Sequence, residues 1–107
     1  MVSARRFEVH LVSLDPTVGS EIKKTRPCVI VSPDESNGAL NTIIVAPMTT
    51  TLRNYPTRVR LRFQGKNGEI AIDQMRAIDK RRLVKRLGMI SAETQKRLTA
   101  TLLEFFA

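Results

Sequence analysis

Apolar and polar residues alternate near the start of the chain. Phe7, Val9 and Leu11 are each separated by one polar residue, and this period of two predicts a strand with one buried and one exposed face. The strand ends at Asp15-Pro16. The polar segment 15–25 that follows predicts a long surface loop, in which Gly19 is free to take a positive φ. Loops of this kind often carry functional residues.

Two continuous apolar runs follow the loop. Cys28–Val31 and Thr42–Ala46 each predict a short strand buried on both faces. Turn-forming residues at 32–38 separate the two strands. The second strand is expected to end at Pro47, where a polar loop over Met48–Pro56 begins. The two polar loops should therefore frame neighbouring strand ends.

A clear alternation returns at Thr57–Phe63. Every second residue is apolar, and the residues between them are Arg58, Arg60 and Arg62, which predicts a strand with one apolar and one basic face. The segment Gln64–Gly68 contains two glycines and an asparagine, a hairpin signal. Glu69–Gln74 is then expected to return as an antiparallel strand, with Ile70 and Ile72 directed inward.

The last third of the chain predicts a short strand and a helix. One helical turn is expected at Asp79–Leu83 and a charge-interrupted strand at Val84–Ile90, and Ser91 is a suitable N-cap for the helix. The apolar stripe predicted to pack the helix on the core consists of Leu98, Leu102, Phe105 and Phe106. These elements predict one β-rich α+β domain over 1–107: a small, strongly curved antiparallel sheet or barrel with a C-terminal helix.

Charge and cysteine content narrow the class of protein. Eighteen Lys and Arg against ten Asp and Glu give the 107 residues a net charge of +8, which attracts polyanions, nucleic acid above all. The alternative is a solvated surface that only aids solubility. The single cysteine, Cys28, cannot form an intrachain disulfide, and no Cys/His cluster has metal-ligand spacing. Without a signal-peptide or membrane-span pattern, a cytoplasmic protein is expected.

Four sequence blocks, in this order and spacing, resemble the MazF/PemK toxin family over nearly the whole chain. They are Leu14-Asp15-Pro16 with 19–27 (GSEIKKTRP), Val31-Ser32-Pro33, Val45–Thr49 (VAPMT) and Asp73–Lys80 (DQMRAIDK). The resemblance implies a sequence-selective, metal-independent endoribonuclease without a cofactor. It also implies an SH3-like barrel with a C-terminal helix, a homodimer, and an antitoxin that holds the toxin inactive. One departure is visible: Arg6-Phe7-Glu8 stands where the family often has Arg-Gly-Asp.

Metal-free RNA cleavage uses the neighbouring 2′-hydroxyl as nucleophile. The protein must help to remove its proton, stabilise charge on the phosphoryl oxygens and assist the leaving 5′-oxygen. Arg26 offers a fixed fork of donors for a phosphate, although it could instead pair with a carboxylate at a strand end. The resemblance places the family's catalytic arginine at Arg26 and its catalytic threonine at Thr49. From the residues alone, Thr49, Thr50 and Thr51 are equally suited to capping backbone groups in the loop.

Glu21 is the third catalytic candidate. Its carboxylate could accept a proton or hold a nucleotide, and a salt bridge with Lys23, Lys24 or Arg26 is the alternative. His10 is the only histidine of the chain, so a two-histidine acid/base pair cannot form within one subunit. Its place in an alternating strand favours a surface or packing role.

Further residues are candidates for RNA binding. Asp73 and Gln74 stand at a predicted strand end, where their side chains could read the base edges of single-stranded RNA. Arg58, with Arg60 and Arg62, could follow an RNA backbone or protect an edge strand from aggregation. The complete set is Ser20, Lys23, Lys24, Thr50, Arg58, Asp73, Gln74 and Arg76.

The sequence therefore predicts an endoribonuclease toxin, and the resemblance implies that its product is a 2′,3′-cyclic phosphate. The expected partners are single-stranded RNA and an antitoxin with an acidic, flexible segment, which the positive charge favours. One alternative is a gyrase-poisoning toxin of the same fold, but such toxins act through a C-terminal Trp-Gly-Ile, whereas this chain has no tryptophan and ends in LLEFFA. The other is a non-catalytic RNA-binding module with an SH3-like barrel.

Overall fold

The computed structural model describes residues 3–107, which form an antiparallel sheet followed by a helix. The strands are β1 (Glu8–Ser13), β2 (Thr25–Ile30), β3 (Thr42–Thr49), β4 (Arg58–Phe63), β5 (Lys66–Ala71), β6 (Arg76–Asp79) and β7 (Leu83–Met89). The helices are α1 (Asp34–Ala39) and α2 (Ala92–Phe105), with 3₁₀ turns at Ile72–Gln74 and Lys80–Arg82.

Strand β3 organises the sheet. One edge of β3 pairs with two strands: residues 42–45 pair with β6, and residues 48–49 pair with β5. The other edge pairs with β2 through residues 45–47. The strand order is β4-β5-β3-β2-β1-β7, and the sheet curls until its two ends approach each other. At that seam the Gln64 amide donates to the Leu87 carbonyl over 3.0 Å. The predicted curved antiparallel sheet with a C-terminal helix is confirmed.

Both faces of the central strands are buried, in two separate clusters. Val9 and Val29 join Ile70 and Leu98 beneath α2. The opposite face, which includes Cys28, forms a second cluster, whose other members are Val12, Leu14, Ile30, Ile43, Val45, Ile78 and Leu83. The predicted burial of Cys28–Val31 on both faces is therefore confirmed.

The prediction that the polar residues of β1 are exposed is wrong at two positions. Glu8 and His10 are 5% and 0% exposed, and Arg86 of the neighbouring strand β7 binds the Glu8 carboxylate. Buried charge needs partners, and Glu8 Oε1 lies 3.1 Å from His10 Nε2 while its other oxygen binds Arg86. Burial alone raises the pKa of Glu8, but the hydrogen bonds from Arg86, His10 and the Arg5 amide outweigh it and lower that pKa. His10 thus has a packing role.

The segment predicted as a turn at 32–38 is instead the short helix α1. Its buried Asn37 explains the difference: the side-chain amide donates to the Ser32 carbonyl and its oxygen accepts from the Ser32 hydroxyl. That hydroxyl in turn accepts from the Ile44 amide over 3.0 Å. These bonds join α1 to the start of β3 and satisfy polar groups that would otherwise be buried without partners.

The predicted bounds of two strands are also wrong. β3 does not end at Pro47 but continues to Thr49, and its Ile44 side chain is 41% exposed rather than buried. The strand expected over 69–74 ends at Ala71, and the 3₁₀ turn after it leads into β6, which the sequence pattern did not reveal. The hairpin between β4 and β5 is confirmed.

At the C-terminus the helical turn, the strand β7 and the Ser91 cap are confirmed. The Ser91 hydroxyl accepts from the Thr94 amide over 3.2 Å. Burial then falls along α2, from the fully buried Leu98 to exposed Phe105 and Phe106, so the prediction that both phenylalanines pack in the core is wrong. Within residues 3–107, no helix is long and apolar enough to cross a membrane.

Candidate functional site

The loop between β1 and β2 is pinned at its base and at its tip. At the base, the Leu14 amide donates to the Lys24 carbonyl and the Lys24 amide to the Asp15 carboxylate. At the tip, the Glu21 carboxylate accepts from the Val18 amide. The predicted alternative for Glu21, a salt bridge with a neighbouring cation, is not formed among the described residues. Glu21 instead stabilises the turn that presents it.

Gln74 holds this loop against the sheet. Its amide oxygen accepts from the Ile22 amide over 3.1 Å, and its amide nitrogen donates to the Ser20 carbonyl over 3.3 Å. A cavity of about 340 Å³, the Gln74 cavity, is lined by Gln74 and, among others, by Ser20, Glu21, Asp73 and Arg76. Arg76 is itself fixed by a bond from Nη1 to the Leu14 carbonyl.

Arg26 and Thr49 line a second cavity of about 240 Å³, the Arg26 cavity. Continuing the β2–β3 register by two residues from the pair Cys28–Pro47 places Arg26 opposite Thr49, and side chains opposite each other in an antiparallel pair share one face. Arg26 Nε donates to the Lys23 carbonyl over 2.7 Å. This bond fixes the guanidinium at the end of β2.

The Thr49 hydroxyl already forms one hydrogen bond within the loop. It accepts a hydrogen bond from the Thr51 amide over 3.1 Å. A hydroxyl has one hydrogen to donate in addition to its acceptor lone pairs, so this bond leaves the Thr49 hydrogen free for an oxygen in the cavity. Thr50 lines the same cavity. A guanidinium and a hydroxyl on one wall form a site suited to a phosphate.

The predicted site residues thus fall into two neighbouring cavities. Arg26, Thr49 and Thr50 line one, and Ser20, Glu21, Asp73, Gln74 and Arg76 line the other. The structure does not bring Glu21 into the cavity of Arg26 and Thr49. Lys23 and Lys24 line neither cavity and lie exposed on the loop.

Arg58 is held inside the protein by two carboxylates. Its side chain is 8% exposed, with Nε 2.8 Å and Nη2 3.2 Å from the Asp73 oxygens and Nη1 3.5 Å from Glu69 Oε1. The Thr57 hydroxyl also donates to Asp73. The hydrogen bond from Arg58 lowers the pKa of Asp73. The sequence predicted that Arg58 and Asp73 face RNA. In the structure each is the partner of the other, and of the two Asp73 lines the Gln74 cavity, whereas Arg58 lines neither cavity.

Glu69 is fully buried beside Thr49. It lies opposite Thr49 in the β3–β5 ladder and accepts from the amides of Arg53 and Asn54 over 3.0 and 2.9 Å. Burial raises the pKa of Glu69, but these two bonds and the charge of Arg58 outweigh it, so the pKa lies below its ordinary value. Glu69 therefore anchors, as a carboxylate, the loop that begins at Thr49.

The sequence interpretation missed the far wall of the Arg26 cavity. The tip of the β4–β5 hairpin supplies it, with Gln64, Lys66, Asn67 and Gly68. The sequence showed the hairpin but not that β5 pairs with the end of β3. Within residues 3–107, no group of three or more His, Cys, Asp or Glu side chains could hold a metal ion.

Comparison with known proteins decides the family. Residues 5–106 match the model of the PemK-like, MazF-like toxins of type II toxin–antitoxin systems. The chain belongs to this family. The resemblance carried by the four sequence blocks is therefore confirmed, and both cavities lie within the matched residues.

Solved toxins have the same fold. MazF from Deinococcus radiodurans is 23% identical, with a TM-score of 0.87 over 99% of this chain and 98% of that one. The toxin MazF-mt6 from Mycobacterium tuberculosis is 24% identical, with a TM-score of 0.78 over 92% and 95%. A mycobacterial endoribonuclease in complex with its cognate antitoxin is 23% identical, with a TM-score of 0.79 over 94% and 91%.

Proposed function

We propose that this PemK/MazF-family toxin is an endoribonuclease that cuts single-stranded RNA in the Arg26 cavity. The observation that carries the proposal is the pairing of Arg26 and Thr49 at adjacent strand ends, where one side chain offers a fixed charge and the other a free hydroxyl hydrogen. The family match and the net charge of +8 support it, as does the description of mycobacterial proteins of this fold as endoribonucleases.

In the proposed reaction the 2′-oxygen of the RNA attacks the adjacent phosphorus. The bond from phosphorus to the 5′-oxygen breaks, the 2′-hydroxyl gives up its proton and the leaving 5′-oxygen gains one. The products are a 2′,3′-cyclic phosphate and a free 5′-hydroxyl. Arg26 and the Thr49 hydroxyl stabilise the negative charge that grows on the non-bridging oxygens, which is the electrostatic contribution expected of preorganised donors.

The Gln74 cavity binds nucleotides that flank the cleaved bond. Ser20, Glu21 and Asp73 offer it hydroxyl and carboxylate groups, which suit the exposed base edges of single-stranded RNA. Gln74 and Arg58 contribute by holding the loop and Asp73 in place. A catalytic role of Glu21 requires an RNA that spans both cavities, because Glu21 lines the Gln74 cavity and not the Arg26 cavity.

Two protein partners complete the proposal. A cognate antitoxin with an acidic, flexible segment covers the Arg26 cavity and the exposed Lys23 and Lys24 of the adjoining loop, because opposite charge favours that association. A second copy of the chain covers an apolar groove of about 570 Å³ between β3 and the end of α2, lined among others by Ile44, Leu103 and Phe106. We place the toxin in the cytoplasm, where its mRNA substrate is.

Cleavage of a mixed-sequence single-stranded RNA in EDTA tests the activity. The wild type should release fragments that end in a 2′,3′-cyclic phosphate, and Arg26→Ala should be slower by roughly 10² to 10³, the usual effect of losing one such donor. Arg81→Ala is the matched control, since Arg81 is exposed and binds only Asp79. Intact RNA after incubation with the wild type, or equal cutting by Arg26→Ala, would contradict the proposal.

The same experiment separates the alternatives. A non-catalytic RNA-binding module would bind the RNA and leave it whole. A gyrase-poisoning toxin would leave the RNA whole and inhibit purified gyrase instead.

A further inference from the structure

The tip of the β4–β5 hairpin faces the Arg26–Thr49 pair across the Arg26 cavity. Lys66 opposes Phe63 in the hairpin ladder, and both residues line the cavity. Of the next pair along, Arg62 and Asn67, Asn67 lines the cavity and Arg62 does not. Lys66 is therefore the cation that this hairpin contributes to the lining of the cavity.

The side chain of Lys66 is free to bind a ligand. It is exposed. Among residues 3–107 it forms no side-chain hydrogen bond or ion pair, whereas two neighbouring cations do. Arg58, by contrast, is bound to Asp73 and Glu69, and Arg60 lies 3.7 Å from Glu69. Lys66 thus differs from the basic residues around it.

The chemistry of the cavity is that of a site for more than one phosphate. Arg26 and Lys66 are its two cations, on opposite walls, and no carboxylate among the described residues lines it. Gln64 and Asn67 add amide groups, and the Gln64 amide is fixed to the Leu87 carbonyl. Two unneutralised cations facing one cavity attract two anionic groups, and consecutive phosphates of one RNA strand supply them.

We propose that Lys66 binds the phosphate adjacent to the one that Arg26 stabilises. The inference rests on the proposed ribonuclease function and adds a second anchor for the RNA strand. Because this phosphate does not react, Lys66 contributes equally to the bound substrate and the transition state. Loss of such a contact raises KM and leaves kcat unchanged.

Steady-state cleavage and equilibrium binding test the inference together. Lys66→Ala should raise KM by roughly 3- to 10-fold with kcat unchanged. It should also weaken binding of a fluorescent, uncleavable 2′-O-methyl RNA and reduce the slope of log K against log salt by about 0.7, the value for one phosphate on a single strand. Lys66→Arg should restore most of the affinity. Lys96→Ala on α2 removes the same charge away from the cavity and is the matched control.

The outcomes are distinct. Wild-type values of KM and salt slope for Lys66→Ala would overturn the inference and leave the proposed function intact if the wild type cuts RNA. A fall in kcat at saturating RNA would also overturn it, because Lys66 would then act on the reacting phosphate. Lys66-dependent binding without cleavage would support the inference and contradict the proposed function.

Discussion

Gly68 packs directly against the backbone of Thr49. A β-carbon built at position 68 would lie 2.8 Å from the Thr49 carbonyl oxygen, closer than real β-carbons approach any atom. The neighbouring atom belongs to the backbone, so it cannot rotate away as the end of a side chain could. Residue 68 therefore determines how closely β5 approaches the end of β3 that carries Thr49.

Gly68→Ala should impair cleavage through Thr49. The added methyl group pushes β3 and β5 apart, and a displacement of about 1 Å at a reacting group costs on the order of 100-fold in rate. The crowding should also destabilise the fold by roughly 1 to 3 kcal/mol. We expect a lower kcat, measured below the melting temperature of both proteins.

Gly38→Ala provides the control, because a β-carbon there would meet nothing within 4 Å. This variant should keep wild-type activity. If Gly68→Ala folds and cuts RNA at the wild-type rate, the close approach of β5 does not position Thr49.

The buried carboxylate of Glu69 should make stability depend on pH. Since the folded-state pKa of Glu69 lies below the ordinary value of 4.5, the carboxylate stabilises the fold fully above that value. This stabilisation is lost as the pH falls below 4.5 through the folded-state pKa. Urea unfolding at pH 7 and at pH 4 should show a smaller loss of stability for Glu69→Gln than for the wild type.

At pH 7, Glu69→Gln should lower the free energy of unfolding by roughly 1 to 3 kcal/mol, because one of the two loop amides is left without an acceptor and the other keeps only a neutral one. Cleavage should slow as well, since the anchored loop starts at Thr49. Glu35→Gln changes an exposed carboxylate on α1 and should leave both measurements unchanged. An identical pH dependence for Glu69→Gln and the wild type would show that Glu69 is not the responsible group.

One substitution, Glu21→Gln, distinguishes two roles of Glu21. If its carboxylate only binds a nucleotide, Glu21→Gln should keep the shape of the pH–rate profile and mainly raise KM. If it removes the 2′-proton, the same change should lower kcat by roughly 10² to 10⁴ and abolish the acidic limb of the profile. The position of Glu21 in the Gln74 cavity leads us to expect the first result, and a fall in kcat alone would contradict it.

The sequence predicted most of the strands because alternation and apolar runs report local burial. The sequence pattern gave the wrong exposure where residues distant in the sequence determine whether a side chain is buried. Alternation put Arg58 on an exposed face, but Asp73, 15 residues away, and Glu69, 11 residues away, enclose it. Phe105 and Phe106 continue the apolar period of α2, but the period does not tell where the underlying sheet ends.

In the candidate site, too, some residues were predictable from the local sequence and one was not. Arg26 and Thr49 were found because each stands at a strand end within a sequence block of the family. Lys66 was not, because its relation to them depends on the pairing of β5 with the last two residues of β3. No local pattern around Lys66 carries that information.

The apolar groove beside α2 exposes large hydrophobic side chains on a strongly charged protein. Leu103 and Phe106 are each 70% exposed, and they line the groove together with Ile44 and Met75. Contiguous exposed apolar surface commonly marks an interface, and one patch can serve both copies of a symmetric dimer. We therefore expect the groove to be covered in solution by a second chain.

Leu103→Arg should convert the dimer into a monomer. The side chain is mostly exposed in the single chain, so the change should not affect folding of the monomer, whereas in a two-fold interface it buries two unpaired charges at once. Sedimentation velocity should show the dimer for the wild type and the monomer for the variant. Val84→Arg, at an exposed apolar residue of β7 outside the groove, should remain dimeric. A wild-type chain that stays monomeric at high concentration, or a dimer that tolerates Leu103→Arg, would rule out this groove as the interface.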